Sequence, residues 1–117
     1  LTLEQFRQYC LTKPGVTEET PFGVDTLVMK VMGKIFAITD LNTFDGVNLK
    51  VEPEHGIELR ERYTTVQPAY HMNKKHWVTV GMDGKVGDGL LKEWIDQSYA
   101  LVVAKLTKSQ RLALSRL

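Results

Sequence analysis

An α+β fold, with an antiparallel sheet of about five strands and helices packed on one of its faces, is the architecture this sequence predicts. Three features carry that expectation. Apolar residues recur at helical spacing near both ends of the chain, β-branched runs of strand length fill the middle, and the connections between those runs are too short for parallel crossovers. The elements read in the order α-β-β-β-α-β-β-α, and 117 residues suit one domain, 1–117, around a single core.

The first helix opens at a capping box, Thr2 with Gln5, and presents Leu3, Phe6, Tyr9 and Cys10 on one face until Pro14 and Gly15 stop it. Glu18 to Pro21 reads as a polar connection, and Pro21, Phe22 and Gly23 as the entry to the first strand, with Phe22 buried. Thr26–Met32 and Ile35–Thr39 then form a hairpin around Gly33 and Lys34, for which glycine at the first turn position predicts a type II′ turn. Asp45 and Gly46 mark a further turn before the alternating strand Val47 to Val51. Pro53 starts a short, solvated helix carrying Ile57, Leu59 and Tyr63. Trp77–Met82 is a strand, and Asp83 and Gly84 turn it back on Lys85 and Val86. Asp88 caps the longest helix, whose stripe is Leu91, Trp94, Ile95, Leu101 and Val102. Thr107 and Gln110 restart a short terminal helix.

Hydrophobic residues at 43% and charged residues at 25% are those of an ordinary globular chain rather than a disordered one. Apolar runs are too short for a membrane span and no signal peptide is evident, so the expected setting is cytoplasmic and the expected state a monomer. The single cysteine, Cys10, has no partner for a disulfide and reads as a core residue. His71 and His76 lack the spacing and companions of a zinc site, and no nucleophile is paired with a base, so neither a metal, a cofactor nor an enzymatic activity is expected. The net charge of +1 argues against strong attraction to nucleic acid over the whole surface. Its distribution is uneven, however. No acidic residue lies between Tyr63 and Met82 or after Gln97, and these stretches hold Lys74, Lys75, Lys105, Lys108, Arg111 and Arg116.

Tyr70, His71, Asn73, Lys74, Lys75, His76 and Trp77 are the candidate binding residues. Lysines meet phosphates, an asparagine bonds a base edge or a phosphate, and aromatic rings stack on exposed bases. The same string also suits a plain turn, with lysines in water, Asn73 in the bend and the rings anchoring the loop. Lys30 and Lys50 lie on strands and face either solvent or a ligand on the uncovered side of the sheet. That side, with Trp77 pointing outward, gives the alternative reading of a protein-interaction or chaperone-like module.

The strings Pro21–Gly23, Lys30–Ala37, Leu49–Lys50 and Pro68–Trp77, with Ser98, Tyr99, Leu101 and Val102, together resemble the MmcQ/YjbR family of small bacterial proteins. The resemblance implies a CyaY-like, or frataxin-like, α+β sandwich and a proposed role in DNA binding through paired hairpin wings. It implies functional positions at Lys34, on the first hairpin tip, and from Tyr70 to Trp77. Ala69 departs from the glycine expected between proline and tyrosine, and a positive φ there would strain the loop.

Overall fold

The computed structural model describes residues 1–117. Six strands, β1 (Val16–Glu19), β2 (Thr26–Val31), β3 (Lys34–Asp40), β4 (Gly46–Lys50), β5 (Val66–Pro68) and β6 (Trp77–Gly81), form one antiparallel sheet in the order β1-β2-β3-β4-β6-β5. Four helices accompany it: α1 (Leu3–Leu11), α2 (Pro53–Arg62), α3 (Asp88–Ala104) and α4 (Lys108–Ser115). The predicted class stands, and two short strands are added to it. β1 arises where a polar connection was expected, and β5 precedes the candidate loop; both are edge strands. The turn at Asp83 and Gly84 forms, with Gly84 at φ 82°, but Lys85 and Val86 add no strand. Val86 is drawn into the core instead, and β6 pairs with β4 and β5.

The β2–β3 hairpin closes one residue earlier than expected. Val31 pairs with Lys34, so Met32 and Gly33 form the loop, at φ 49° and 80°. Positive φ at both positions is the signature of a type I′ turn, whose twist matches that of the strands. Lys34 is therefore the first residue of β3 rather than part of the turn.

Pairing residues share a face, so the sheet divides cleanly. Leu27, Met29, Ala37, Val47, Leu49, Val78 and Val80 lie under the helices in the main core, whereas Lys30, Ile38, Asn48, Lys50, Thr79 and Trp77 occupy the opposite, open face. α3 lies across β3 and β4, burying Leu91, Trp94, Ile95, Ser98 and Val102 at intervals of three, one, three and four residues. Gly87, not Asp88, occupies its N-cap position. α1 buries Phe6 and Cys10. Burial pushes the Cys10 thiol up to about 12, which suits an inert core residue. α2 packs on β5, and its Gly56 comes close to Val51, just after β4, where a Cβ would sit 2.9 Å from Val51 Cγ2.

The sheet register shifts between Met29 and Lys30, which places Phe36 opposite no residue of β2. The β3–β4 ladder also stops at Ala37 and Leu49. The fully buried Ser98 hydroxyl completes it: its Oγ donates to the Phe36 carbonyl at 2.6 Å and accepts from the Lys50 N–H at 2.8 Å. Tyr99 packs edge-on against Phe36 and donates its hydroxyl to the Pro14 carbonyl at 2.6 Å. On the same flank of α3, Asp96 accepts hydrogen bonds from Tyr9 and Lys13 and so ties it to α1.

β1 is held by Arg7 of α1, whose guanidinium donates to both Glu18 oxygens at 2.9 and 2.5 Å. These hydrogen bonds hold the Glu18 carboxyl below its ordinary range.

Ser98→Ala is expected to lower stability by about 2–4 kcal/mol, because two buried backbone groups lose their partner at once. Urea unfolding of this variant beside the exposed Ser109→Ala, expected to change little, checks it; equal midpoints would refute the bridge. Glu18 has a depressed folded-state pKa, so its contribution is present above the unfolded value of about 4.3 and disappears as pH falls through the folded value. The urea midpoints of wild type and Glu18→Gln should thus differ at neutral pH and converge in acid. A gap that stays constant with pH would contradict this assignment.

Candidate functional site

Strand direction determines which side chains gather at each end of the sheet. Val31 pairs with Lys34, Lys50 with Trp77, and Pro68 with Val78, so the β2–β3 turn and the β5–β6 loop leave the same end. That end carries Lys34, Lys50, Lys74 and Lys75. The opposite end carries the β1–β2, β3–β4 and β6–α3 connections, with Asp25, Asp40, Asp45 and Asp83. A nearly neutral chain thereby gathers lysines at one end of the sheet and aspartates at the other, with Glu52 and Lys85 as the exceptions.

At the basic end Lys34, Ile35, Lys50, Trp77, Val102 and Lys105 line a concavity of about 530 Å³, with Gly33 at its edge and no carboxylate in its lining. Two basic stretches far apart in sequence meet here, because the end of α3 brings Lys105 beside β4. Lys50 is half-buried and Trp77 is its direct cross-strand partner. Partial removal from water, together with the charge of Lys105, lowers the Lys50 pKa, and Glu52 only partly opposes this. A cation in that position gains from a bound anion.

The candidate loop separates into three groups. Tyr70, 66% exposed, lies under its own Lys74, with the ammonium 5.1 Å from the ring centroid, while Lys75 is also exposed. Asn73 accepts the Lys75 N–H at 2.9 Å, and His76 accepts the Val51 N–H through its backbone carbonyl at 2.8 Å, so these two help build the turn. His71 and Met72 fold back over the open face and line a second cleft there. Ala69 is fully buried without a positive φ, so alanine fits the position and the expected strain is absent.

Lys30 is spoken for, since its ammonium lies 3.5 Å from Glu19 across the β1–β2 pair. Phe22 departs from expectation and is 68% exposed. Lys105 joins the site only through folding. Its acid-free surroundings in the sequence were the available signal, but nothing local pairs it with Lys50. No three His, Cys, Asp or Glu side chains converge as metal ligands, and no helix is long and apolar enough to cross a membrane.

The YjbR family model matches residues 11–101, which include the sheet and most of α3. The chain is 32% identical to the uncharacterised protein YjbR of Escherichia coli strain K12 over the full length of both. It is 36% identical to the uncharacterised protein YbdF of Escherichia coli O157:H7, over 90% of this chain and 87% of that one. Among solved structures, Deinococcus radiodurans protein DR2400, a DUF419 domain, superimposes with a TM-score of 0.91 at 42% identity, over 97% of this chain and 88% of that one. Agreement of sequence and fold over nearly the whole length leads to one conclusion: this chain belongs to the YjbR family.

Proposed function

We propose that this domain binds nucleic acid through the basic end of its sheet, without reading base sequence. The observation that carries the reading is the carboxylate-free concavity where Lys34, Lys50 and Lys105, from three separate elements, surround Trp77. The lysines would neutralise phosphates of the backbone, and the edge of Trp77 left uncovered offers an aromatic surface for stacking. Lys74 and Lys75 on the neighbouring β5–β6 loop extend the positive surface. Two hairpins, β2–β3 and β5–β6, flank the concavity from the same end, an arrangement suited to straddling a phosphate backbone. Contacts of this kind carry no sequence information and weaken steeply with salt.

The test is fluorescence anisotropy with a short random-sequence DNA duplex across a series from about 50 to 200 mM salt. Wild type should bind at low salt. The double variant Lys34→Glu, Lys105→Glu should bind at least about tenfold more weakly and show a salt slope shallower by about two contacts' worth. Both residues are exposed, so the fold should survive the changes. Absence of wild-type binding at about 50 mM salt, or equal binding by the variant, would overturn the proposal.

A further inference from the structure

The open face carries a second cleft, of about 600 Å³, with a lining chemically unlike that of the basic concavity. Its volume is within the range of about 300–1,000 Å³ typical of small-molecule sites. The floor comes from one cross-strand row, in which Ile38 of β3 pairs with Asn48 of β4 and Asn48 with Thr79 of β6. Ile35 extends the floor towards the basic end. Phe22 forms one wall from the β1–β2 connection; Met72 and His71 form the other from the β5–β6 loop.

Three features distinguish this cleft from a bare sheet face. Phe22 stands at the rim with 68% of its surface exposed. An aromatic ring held in water beside a concave floor gains by covering a ligand. The polar groups of the floor are only partly used: Thr79 donates to Asn48 Oδ1 at 2.6 Å, while the Asn48 amide nitrogen has only the Met72 sulfur, at 3.7 Å. A thioether is a weak acceptor, so the amide retains donor capacity towards the cleft.

The third feature is charge. Asp40 and Asp45 line one end of the cleft, and no lysine or arginine lines it anywhere. Asp40 accepts the Asn42 and Thr43 N–H groups on Oδ1, at 2.7 and 3.0 Å, and Asp45 accepts the Thr43 hydroxyl on Oδ1 at 3.0 Å. Neither makes an ion pair, so each retains an Oδ2 able to accept a charge-assisted hydrogen bond. A floor of Ile35 and Ile38 beside Asn48 and Thr79, an aromatic wall and two unpaired carboxylates at one end are complementary to a flat apolar group bearing a protonated amine.

We infer that the cleft between Phe22 and Met72 is a binding site for a small aromatic amine, with the ring over Ile38 and the ammonium at Asp40 and Asp45. The site is independent of the nucleic-acid reading. Phosphate is disfavoured here by the same two carboxylates, and the two clefts share only Ile35.

Two-dimensional amide NMR with tryptamine and benzylamine as probes, and indole-3-propionate as the oppositely charged control, tests this inference. Each probe is added to about 10 mM, a range in which weak, millimolar binding is detected. At least one amine should shift the amides of Ile38, Asn48, Met72 and Thr79, while indole-3-propionate should leave them unmoved. Asp40→Asn with Asp45→Asn should weaken amine binding by about tenfold or more. Asparagine still accepts the Asn42 and Thr43 N–H bonds, and an unchanged spectrum of the free variant verifies the fold. Phe22→Ala, at an exposed position, supplies a second variant and should weaken binding too. No shift with either amine, equal shifts with amine and acid, or shifts confined to Lys34 and Lys50 would overturn the inference. DNA binding by a protein that ignores both amines would remove this site and leave the basic end untouched.

Discussion

The Ser98 hydroxyl is the contact on which the rest of this structure depends. The bulge in β3 puts Phe36 out of register, and without a substitute partner its carbonyl and the Lys50 N–H would be buried and unpaired. One hydroxyl from α3 satisfies both, and it therefore sets the height of the helix over the sheet as well as the spacing of β3 and β4. Tyr99 and Asp96, next to it in sequence, then fix the same helix to the Pro14 turn and to α1. Because Lys50 is the residue whose backbone is held, the bridge also positions the ammonium that faces Trp77 and Lys105 across the sheet end. A packing interaction between α3 and the sheet thus organises charge at the sheet's end.

The sheet is polarised from end to end along its strands. β3 begins at Lys34 and ends at Asp40, and its neighbours reinforce both ends, with Lys50 and Lys105 at one and Asp45 at the other. Seven residues of extended chain separate charges by roughly 20 Å, well beyond the screening length of about 8 Å at physiological salt. Each end therefore presents its own field to a ligand, although the chain as a whole is close to neutral. This is why a net charge of +1 neither excludes an anion surface nor describes one.

Much of this arrangement was legible in the residues themselves. Both capping boxes, the alternation from Val47 to Val51 and the stripe on α3 are local patterns, and each produced the element expected of it. β1 was not legible, because Val16 is the only apolar residue among Val16, Thr17, Glu18 and Glu19, and its partners β2 and Arg7 lie elsewhere in the chain. β5 contains just Val66, Gln67 and Pro68, and proline is compatible with a strand only at an edge. The I′ turn was misread since Met32 is an unusual residue at positive φ; its half-buried side chain packs against the core. Asp83 and Gly84 did signal a turn, but burial of Val86 outweighed strand pairing. At the site, Lys50 and Trp77 were visible as outward strand residues, whereas the approach of Lys105 and the separation of His71 from Trp77 depend on packing that no local pattern records.

Polarity between the two ends of the sheet is the central claim, and it can be measured without any presumed ligand. Paramagnetic relaxation of the amide protons by an anionic nitroxide, compared with a neutral one of the same size, reports the local potential residue by residue. The account predicts enhanced relaxation by the anionic probe at Lys34, Lys50, Trp77 and Lys105, with depletion at Asp40 and Asp45. Equal ratios along β3, or enrichment at the aspartate end, would contradict it.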